Sequence, residues 1–329
     1  MLKFTKEQQA NLLANRRAFN AQQADLAGRI NNAGFVGNAY PMPRDVWGLW
    51  DSEGIEVQRQ TMRVFNDLAA TLTMPMPIGK MVHHFQQISD SGSANISLDG
   101  VAQGLSDQQT YTYVGTPLPI VTSAFGYGWR QVEAAHTEGV QLDAAGRLNA
   151  VDKVAEKLEL LALDGDSKIV VGGTQLYGFR THPKVNTRST TNDLSGCTGA
   201  EWVADVVATL QTLHADKFKV PATLYVNWSD WFYAEATEYT AGYPKKIAAA
   251  VREIPGVQAV VPSDKVAADE IIAVVKDRRV VQVLSAMPVS TRAKFRANPE
   301  DRYDFVTMAA AALEIKYDAA DNCGVAYSS

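Results

Sequence analysis

The sequence predicts an α+β chain, and three observations carry that reading. One apolar stripe of helical period runs from Asp143 to about Ala162. Two β-type runs, Met81-Val82-His83-His84-Phe85 and Thr110-Tyr111-Thr112-Tyr113-Val114, flank the polar stretch Ser89-Asp90-Ser91-Gly92-Ser93-Ala94. Between residues 200 and 300, short helical and strand patterns alternate.

The bulk properties set limits. A chain of 329 residues, 46% apolar, is long enough for one large core or two moderate ones. Lys plus Arg number 31 against 36 acids, a net charge of −5, so no overall cationic field draws the chain to nucleic acid or membrane. Cys197 and Cys323 are too few and too scattered for a disulfide framework, which points to a reducing compartment. The N-terminus has no apolar core of a signal peptide. No apolar run approaches the ~18 residues that span a bilayer.

The elements follow in order. Residues 1–33 carry Leu12, Leu13, Phe19, Leu26 and Ile30 at roughly helical spacing. Lys3, Lys6, Arg16, Arg17 and Arg29 against Glu7 and Asp25 leave this arm locally basic by three charges. An ordinary solvated helix explains that, and an arm facing nucleic acid is the sharper alternative. Gly34, Gly37, Pro41 and Pro43 end it. A helix is expected from Arg44 through Leu72, interrupted near Gly48 or Gly54 and stopped where Pro75 and Pro77 remove backbone donors.

From Ile78 to Leu118 the β-type runs form a long hairpin with too little apolar surface for a core of its own. An isolated two-stranded ribbon is marginal in water, so this one is expected to lie across another subunit. A turn at Phe125-Gly126-Tyr127-Gly128-Trp129 precedes the long helix. In that helix Val151, Val154, Leu158 and Leu161 make the stripe, Ala144, Ala145, Ala150 and Ala155 flank it, and Asp152, Lys153, Glu156, Lys157 and Glu159 face away. Asp143 is the expected N-cap, and Asp164-Gly165-Asp166 the stop. At ~1.5 Å per residue such a rod spans about 30 Å.

Beyond the Thr-, Asn- and Ser-rich loop 186–199, helices are expected at Trp202–Leu210, Asp230–Ala236 and Ile247–Glu253. Strands are expected at Ala222–Val226, Val257–Val261, Glu270–Val275 and Val280–Leu284. Tyr303 to Tyr317 returns as a β segment beside the long helix, with Phe305, Thr307, Leu313, Ile315 and Tyr317 in partial alternation.

The residue types of enzymes do not assemble into a site. His83 and His84 are adjacent in a strand and point to opposite faces, so they do not share a metal. His136, His182 and His214 lack partners at ligand spacing. Asp164-Gly165-Asp166 begins like a calcium loop, but Lys168, Ile169 and Gln175 stand where a ligand, a glycine and the closing glutamate are needed. Gly172-Gly173 lacks the rest of a phosphate loop or dinucleotide fingerprint and reads as a turn. No nucleophile elbow exists, and Cys197 reads as a structural thiol.

In their order and spacing, several pieces resemble the major capsid proteins of tailed bacteriophages, whose fold is shared by encapsulin nanocompartments. These are the basic arm, the hairpin at about 78–118, Ala124-Phe125-Gly126-Tyr127-Gly128-Trp129-Arg130-Gln131-Val132-Glu133-Ala134-Ala135, and Gly139-Val140-Gln141-Leu142-Asp143 leading into the helix. Leu176-Tyr177-Gly178 with His182-Pro183, and Ile254-Pro255-Gly256-Val257 before a strand, complete the set. The resemblance covers most of the chain. It implies an N-terminal arm (1–43), a helical part of a peripheral domain (44–77), an extended loop (78–118), a peripheral domain built on a long spine helix (119–199), a compact axial domain (200–300) and a C-terminal return strand (301–329).

What the resemblance implies about function is structural. The chain would be no enzyme, with no catalytic, cofactor-binding or metal residues and no cofactor. It would self-assemble into pentamers and hexamers of an icosahedral shell enclosing double-stranded phage DNA, held by non-specific, salt-sensitive contacts. Its place would be the virion capsid, assembled in the bacterial host cytoplasm, with scaffold, portal and decoration proteins as partners and no membrane. The start at Met1 without a long acidic or coiled-coil preface favours a separate scaffold. Some members of this fold join subunits through Lys and Asn side chains; Lys80 and Asn322 are of those types, but nothing local distinguishes them from solvated residues. Two other readings stay open: an encapsulin-type shell enclosing a cargo enzyme, and an α/β enzyme built on residues 200–300, which needs a pocket of convergent titratable groups.

Overall fold

The structure, a computed structural model, describes residues 5–32, 63–92, 96, 108–138, 143–242 and 244–329. The chain divides into two compact units. One comprises Met1–Arg59, Ala124–Ala150 and Arg292–Val306, the other Gln60–Ser123, Val151–Thr291 and Thr307–Ser329.

Helix α1 (Lys6–Asn32) matches the periodic arm and leaves Leu13 and Phe19 exposed. Of the helix expected from Arg44, the part before residue 63 lies outside the described residues. What is described is a helix that starts afresh at Val64 after the N-cap Arg63, a break the sequence reading did not place there: α2 (Val64–Leu72) buries Val64, Leu68 and Leu72 four residues apart on one face. Strand β1 (Thr73–Pro75) follows directly. It pairs in parallel with β11 (Val281–Ala293) at the edge of a four-stranded sheet, where a proline's missing donor is tolerated.

The expected ribbon is β2 (Val82–Ile88) paired antiparallel with β3 (Tyr111–Pro117), from Val82 opposite Pro117 to Ile88 opposite Tyr111. Strand β4 (Ile120–Tyr127) then completes the four-stranded sheet of order β1-β11-β12-β4, in which β12 is Tyr303–Ile315. The sequence reading made Phe125–Trp129 a turn, and this is corrected. Phe125 and Tyr127 are strand residues, because Phe125 has a ring to stack on, that of Phe305 at 5.1 Å, and Arg302 holds the Gly126 carbonyl at 3.1 Å. The helix after it, α3 (Trp129–Glu138), starts at Trp129.

The long helix is α4 (Asp143–Asp164). Val154 and Leu158 of its stripe pack on Ala309 and Ala311 of β12, and Leu161 on Leu176 and Ala312. The run of alanines in β12 leaves room for the leucines and valines of the helix. Asp143 begins the helix, but the segment where a cap would act, 139–142, lies outside the described residues. Gly165 stops it at φ +68°. Two strands follow, β5 (Gly165–Val171) and β6 (Thr174–Tyr177), joined by Gly172 and Gly173 at φ 60° and 82°, a two-residue turn with positive φ at both positions.

A second sheet of five strands has order β7-β13-β10-β8-β9: β7 (Asn186–Arg188), β8 (Ala222–Asn227), β9 (Val257–Ser263), β10 (Ile271–Val274) and β13 (Val325–Ser328). Helices α5 (Gly199–Ala215), α6 (Trp228–Ala236) and α7 (Ile247–Arg252) belong with it. Thr198 and Glu201 form a reciprocal capping box on α5. Trp202, Tyr225, Ile271 and Ile272 are fully buried in its core.

Candidate subunit-contact surface

A β-ribbon shows alternate residues on its two faces. On one face of the β2–β3 hairpin are His83, Phe85, Gln87, Val114 and Thr116, and this face is tied to the end of β12. The Phe85 ring meets Tyr317 edge-on at 5.9 Å. His83 Nδ1 lies 2.8 Å from Glu314 Oε1, and Gln87 Nε2 donates to the Tyr317 carbonyl at 3.0 Å. Glu314 is fully buried. Its other oxygen accepts from Gln282, and Lys316 Nζ stands 3.9 Å away.

The opposite face carries His84, Gln86, Ile88, Tyr111 and Tyr113. Ile88, Tyr111 and Tyr113 are 50, 54 and 65% exposed. The register sets Ile88 across from Tyr111 and Gln86 across from Tyr113, so the apolar groups form one patch. Met81 and Ile120, at 71 and 56%, continue the series of exposed apolar residues at the root. Another exposed aromatic pair, Trp228 and Phe232, sits one turn apart on α6, with the Arg63 guanidinium 5.1 Å over the Trp228 ring.

Two polar networks join the spine helix to the elements around it. Glu159, on the buried side of α4, accepts from the backbone N–H of Arg63, Val64 and Phe65 at 3.2, 2.9 and 2.8 Å. It thereby caps α2, whose own first residues offer no side-chain cap. The sequence reading placed Glu159 among the outward charges; its pairing with α2 draws it inward instead. Arg180 joins the helix end to the five-stranded sheet, reaching Asp164 at 2.8 Å, Glu270 at 2.6 Å and the Lys265 carbonyl at 3.1 Å. Glu270 also accepts from Tyr327 at 2.6 Å. Desolvation works against the Arg180 charge, and these carboxylates more than offset it, leaving the guanidinium held above its usual pKa.

The other residues weighed as sites take structural places. His83 and His84 do point apart. The His136 side chain lies outside the described residues, and His214 sits in the last turn of α5. His182 packs edge-on against Tyr177 at 5.4 Å and Tyr317 at 5.6 Å, and burial pushes its pKa down to about 4. Asp164 pairs with Arg180, while Asp166 accepts from the Lys168 N–H at 3.0 Å. Burial pushes the Cys197 thiol up to about 11 and the Cys323 thiol up to about 12. Asn322 donates to Asp318 at 2.6 Å, and Lys80 is exposed. Among the described residues, no group of three or more His, Cys, Asp and Glu side chains is placed to hold a metal, and no helix is long and apolar enough to cross a membrane.

Spine helix, extended hairpin and two sheets in this order define the fold of tailed-phage capsid proteins, and solved structures bear that out. A capsid of the myovirus phage XM1 superposes with a TM-score of 0.69 at 11% identity, over 87% of this chain and 97% of that one. A Microbacterium phage Oxtober96 structure matches at 0.61 and 12% identity, over 87 and 96%. A virus-like particle from Pyrococcus furiosus matches at 0.54 and 13%, over 80 and 91%. The chain belongs to a family of unknown function, DUF6260, whose model matches residues 32–328. No curated protein matches it in sequence.

Sequence reasoning missed the buried partners of His83 and the capping role of Glu159, both made by contacts nearly 100 residues or more apart. The one available signal lay at the N-cap position of α2: Arg63 stands there in place of Ser, Thr, Asp or Asn, and its side chain supplies no acceptor for the first amides.

Proposed function

We propose that this chain is a major capsid protein: it tiles with copies of itself into pentamers and hexamers of an icosahedral shell around double-stranded phage DNA. The observation that carries the reading is the hairpin with two unlike faces. One is fixed to its own chain through His83, Phe85 and Gln87, and the other presents Ile88, Tyr111 and Tyr113 to solvent. A ribbon built this way has an apolar face for a neighbour. The likeness to a phage capsid over 97% of that chain supports the same reading.

In this reading residues 1–43 are the arm, 44–77 and 119–199 the peripheral domain, 78–118 the loop across the neighbour, 200–300 the axial domain and 301–329 the return strand. Head-to-tail contacts of this kind close into rings, and weak contacts repeated around a shell give a stable particle. The protein acts as a building block and catalyses nothing. Assembly takes place in the bacterial host cytoplasm and ends in the virion, with scaffold, portal and decoration proteins as partners. DNA contact is electrostatic, through scattered Lys and Arg.

The test is expression of the full chain, alone and with neighbouring phage genes, followed by size-exclusion chromatography and negative-stain microscopy. Shells, tubes, or rings of five or six are the expected result, and a stable monomer in both settings overturns it. The likeness to the Pyrococcus furiosus virus-like particle keeps a second reading, a compartment enclosing protein cargo. Nuclease-protected DNA in the native particle decides for the capsid.

A further inference from the structure

Where the root of the β2–β3 hairpin meets the β5–β6 turn and the end of β12, there is a cavity of about 230 Å³. Four rings form an arc along it. Phe85 meets Tyr317 at 5.9 Å, Tyr317 meets His182 at 5.6 Å, and His182 meets Tyr177 at 5.4 Å, each pair edge-on. Leu313 and Ile315 add apolar wall, and no carboxylate, lysine or arginine lines it. His182 Nδ1 accepts from the Lys184 N–H at 3.2 Å. Burial keeps that ring neutral down to about pH 4, so the lining is uncharged at neutral pH.

The size selects the guest. A cavity of ~150 Å³ already holds benzene, whereas sites for drug-sized ligands begin near 300 Å³. One aromatic side chain therefore fits, and its ring would join the edge-to-face series. The chain itself displays such a ring: Phe295 is 94% exposed. Charge supports the match. Phe295 stands between Lys294 and Arg296, and the cavity wall at Tyr317 continues into the exposed turn bearing Asp318 and Asp321. The Asp318 carboxylate accepts from Asn322 and from the Ala320 N–H of its own turn and feels Lys217 at longer range, while Asp321 is paired with Lys184.

We propose that the aromatic cavity is a socket for the Phe295 ring of a second copy of this chain, a knob-in-socket contact that joins two different surfaces head to tail. This rests on the self-tiling reading and adds to it a defined contact. A knob and a socket on separate surfaces of one chain make a heterologous interface, the kind that builds rings.

The test mixes two full-length variants, Phe295→Cys and Gln175→Cys, the second on the cavity wall, under assembly conditions with mild oxidation. Each chain carries one engineered thiol, so a Phe295–Gln175 cross-link joins two copies. Cys197 and Cys323 are poor competitors, with thiols pushed up to about 11 and about 12. The expected result is a disulfide dimer on the order of ten-fold more abundant than in a mixture with the exposed control Val220→Cys replacing Phe295→Cys. Particles that form normally without that dimer overturn the socket and leave self-tiling standing. Absence of particles from the unsubstituted chain under the same conditions overturns self-tiling and the socket with it. As a second measurement, Phe295→Ala should keep the monomer's circular dichroism and raise the concentration needed for assembly; an unchanged assembly threshold also overturns the socket.

Discussion

His83, on an exposed ribbon, lies 2.8 Å from Glu314, a carboxylate that solvent does not reach. The pair fixes the hairpin to the strand that lies along the spine helix. Replacing Glu314 by alanine leaves His83 and the buried Gln282 without their acceptor. The expected cost is about 3 kcal/mol, read as a lower urea midpoint, because the partner of a buried charge-assisted bond is left desolvated and unpaired. Glu314→Gln should recover part of it.

Glu159 offers a second measurement. Its carboxylate takes three backbone amides at the start of α2. Glu159→Ala removes the cap of a helix that has no other, and should cost about 2 kcal/mol, the upper range for N-caps, since Val64 is buried.

Gly165 and Gly178 sit against each other where the spine helix ends. A Cβ on Gly178 would lie 2.5 Å from the backbone of both Gly165 and Leu163, and Gly165 has φ +68°. Backbone on either side of this crossing has nowhere to move. Gly178→Ala should therefore destabilise the fold by about 2–3 kcal/mol or prevent its expression as a folded chain, with thermal unfolding as the measurement. Gly172→Ala, at φ +60° but with nothing within 4 Å, should cost only the backbone strain of about 1–2 kcal/mol and leave the chain folded.

The legible parts of this fold were those with local signatures. The Val151–Leu161 stripe, the Gly172-Gly173 turn and the alternating ribbon announce themselves within a few residues. Much of the rest depends on distant partners. Phe125-Gly126-Tyr127 reads as a turn until Phe305 is beside it, and β13 is four residues whose pairing with β7 and β10 leaves no local trace. Glu159 has the same sequence context as an outward charge of a helix, and only the arrival of α2 reverses it. The contact surface was half visible. Its ribbon could be read, but which face turned outward was decided by His83, Phe85 and Gln87 finding partners on Glu314 and Tyr317.

The pH response follows from His182. Its pKa is lowered from 6.5 to about 4 because burial disfavours the imidazolium, with Lys184 adding a smaller repulsion. Below 6.5 the unfolded chain binds this proton and the folded chain does not. Stability from this group is therefore complete above about pH 6.5 and declines as pH falls toward 4. Denaturant midpoints across that window should show the decline, and His182→Phe should flatten it.

The outer face of the hairpin makes the decisive distinction between a stability defect and an assembly defect. Ile88, Tyr111 and Tyr113 make up its exposed apolar patch. Tyr111→Ser with Tyr113→Ser removes apolar area that the isolated chain does not bury, so the melting temperature of the monomer should change little. Assembly, which would bury that area, should weaken by about 1–3 kcal/mol per contact at ~25 cal/mol per Å², and the effect multiplies around every ring. Size-exclusion profiles should therefore move from particles to subunits while circular dichroism stays constant. Removing about residues 84–112 should act in the same direction and more strongly. If both variants assembled normally, this face of the hairpin would have no part in joining subunits.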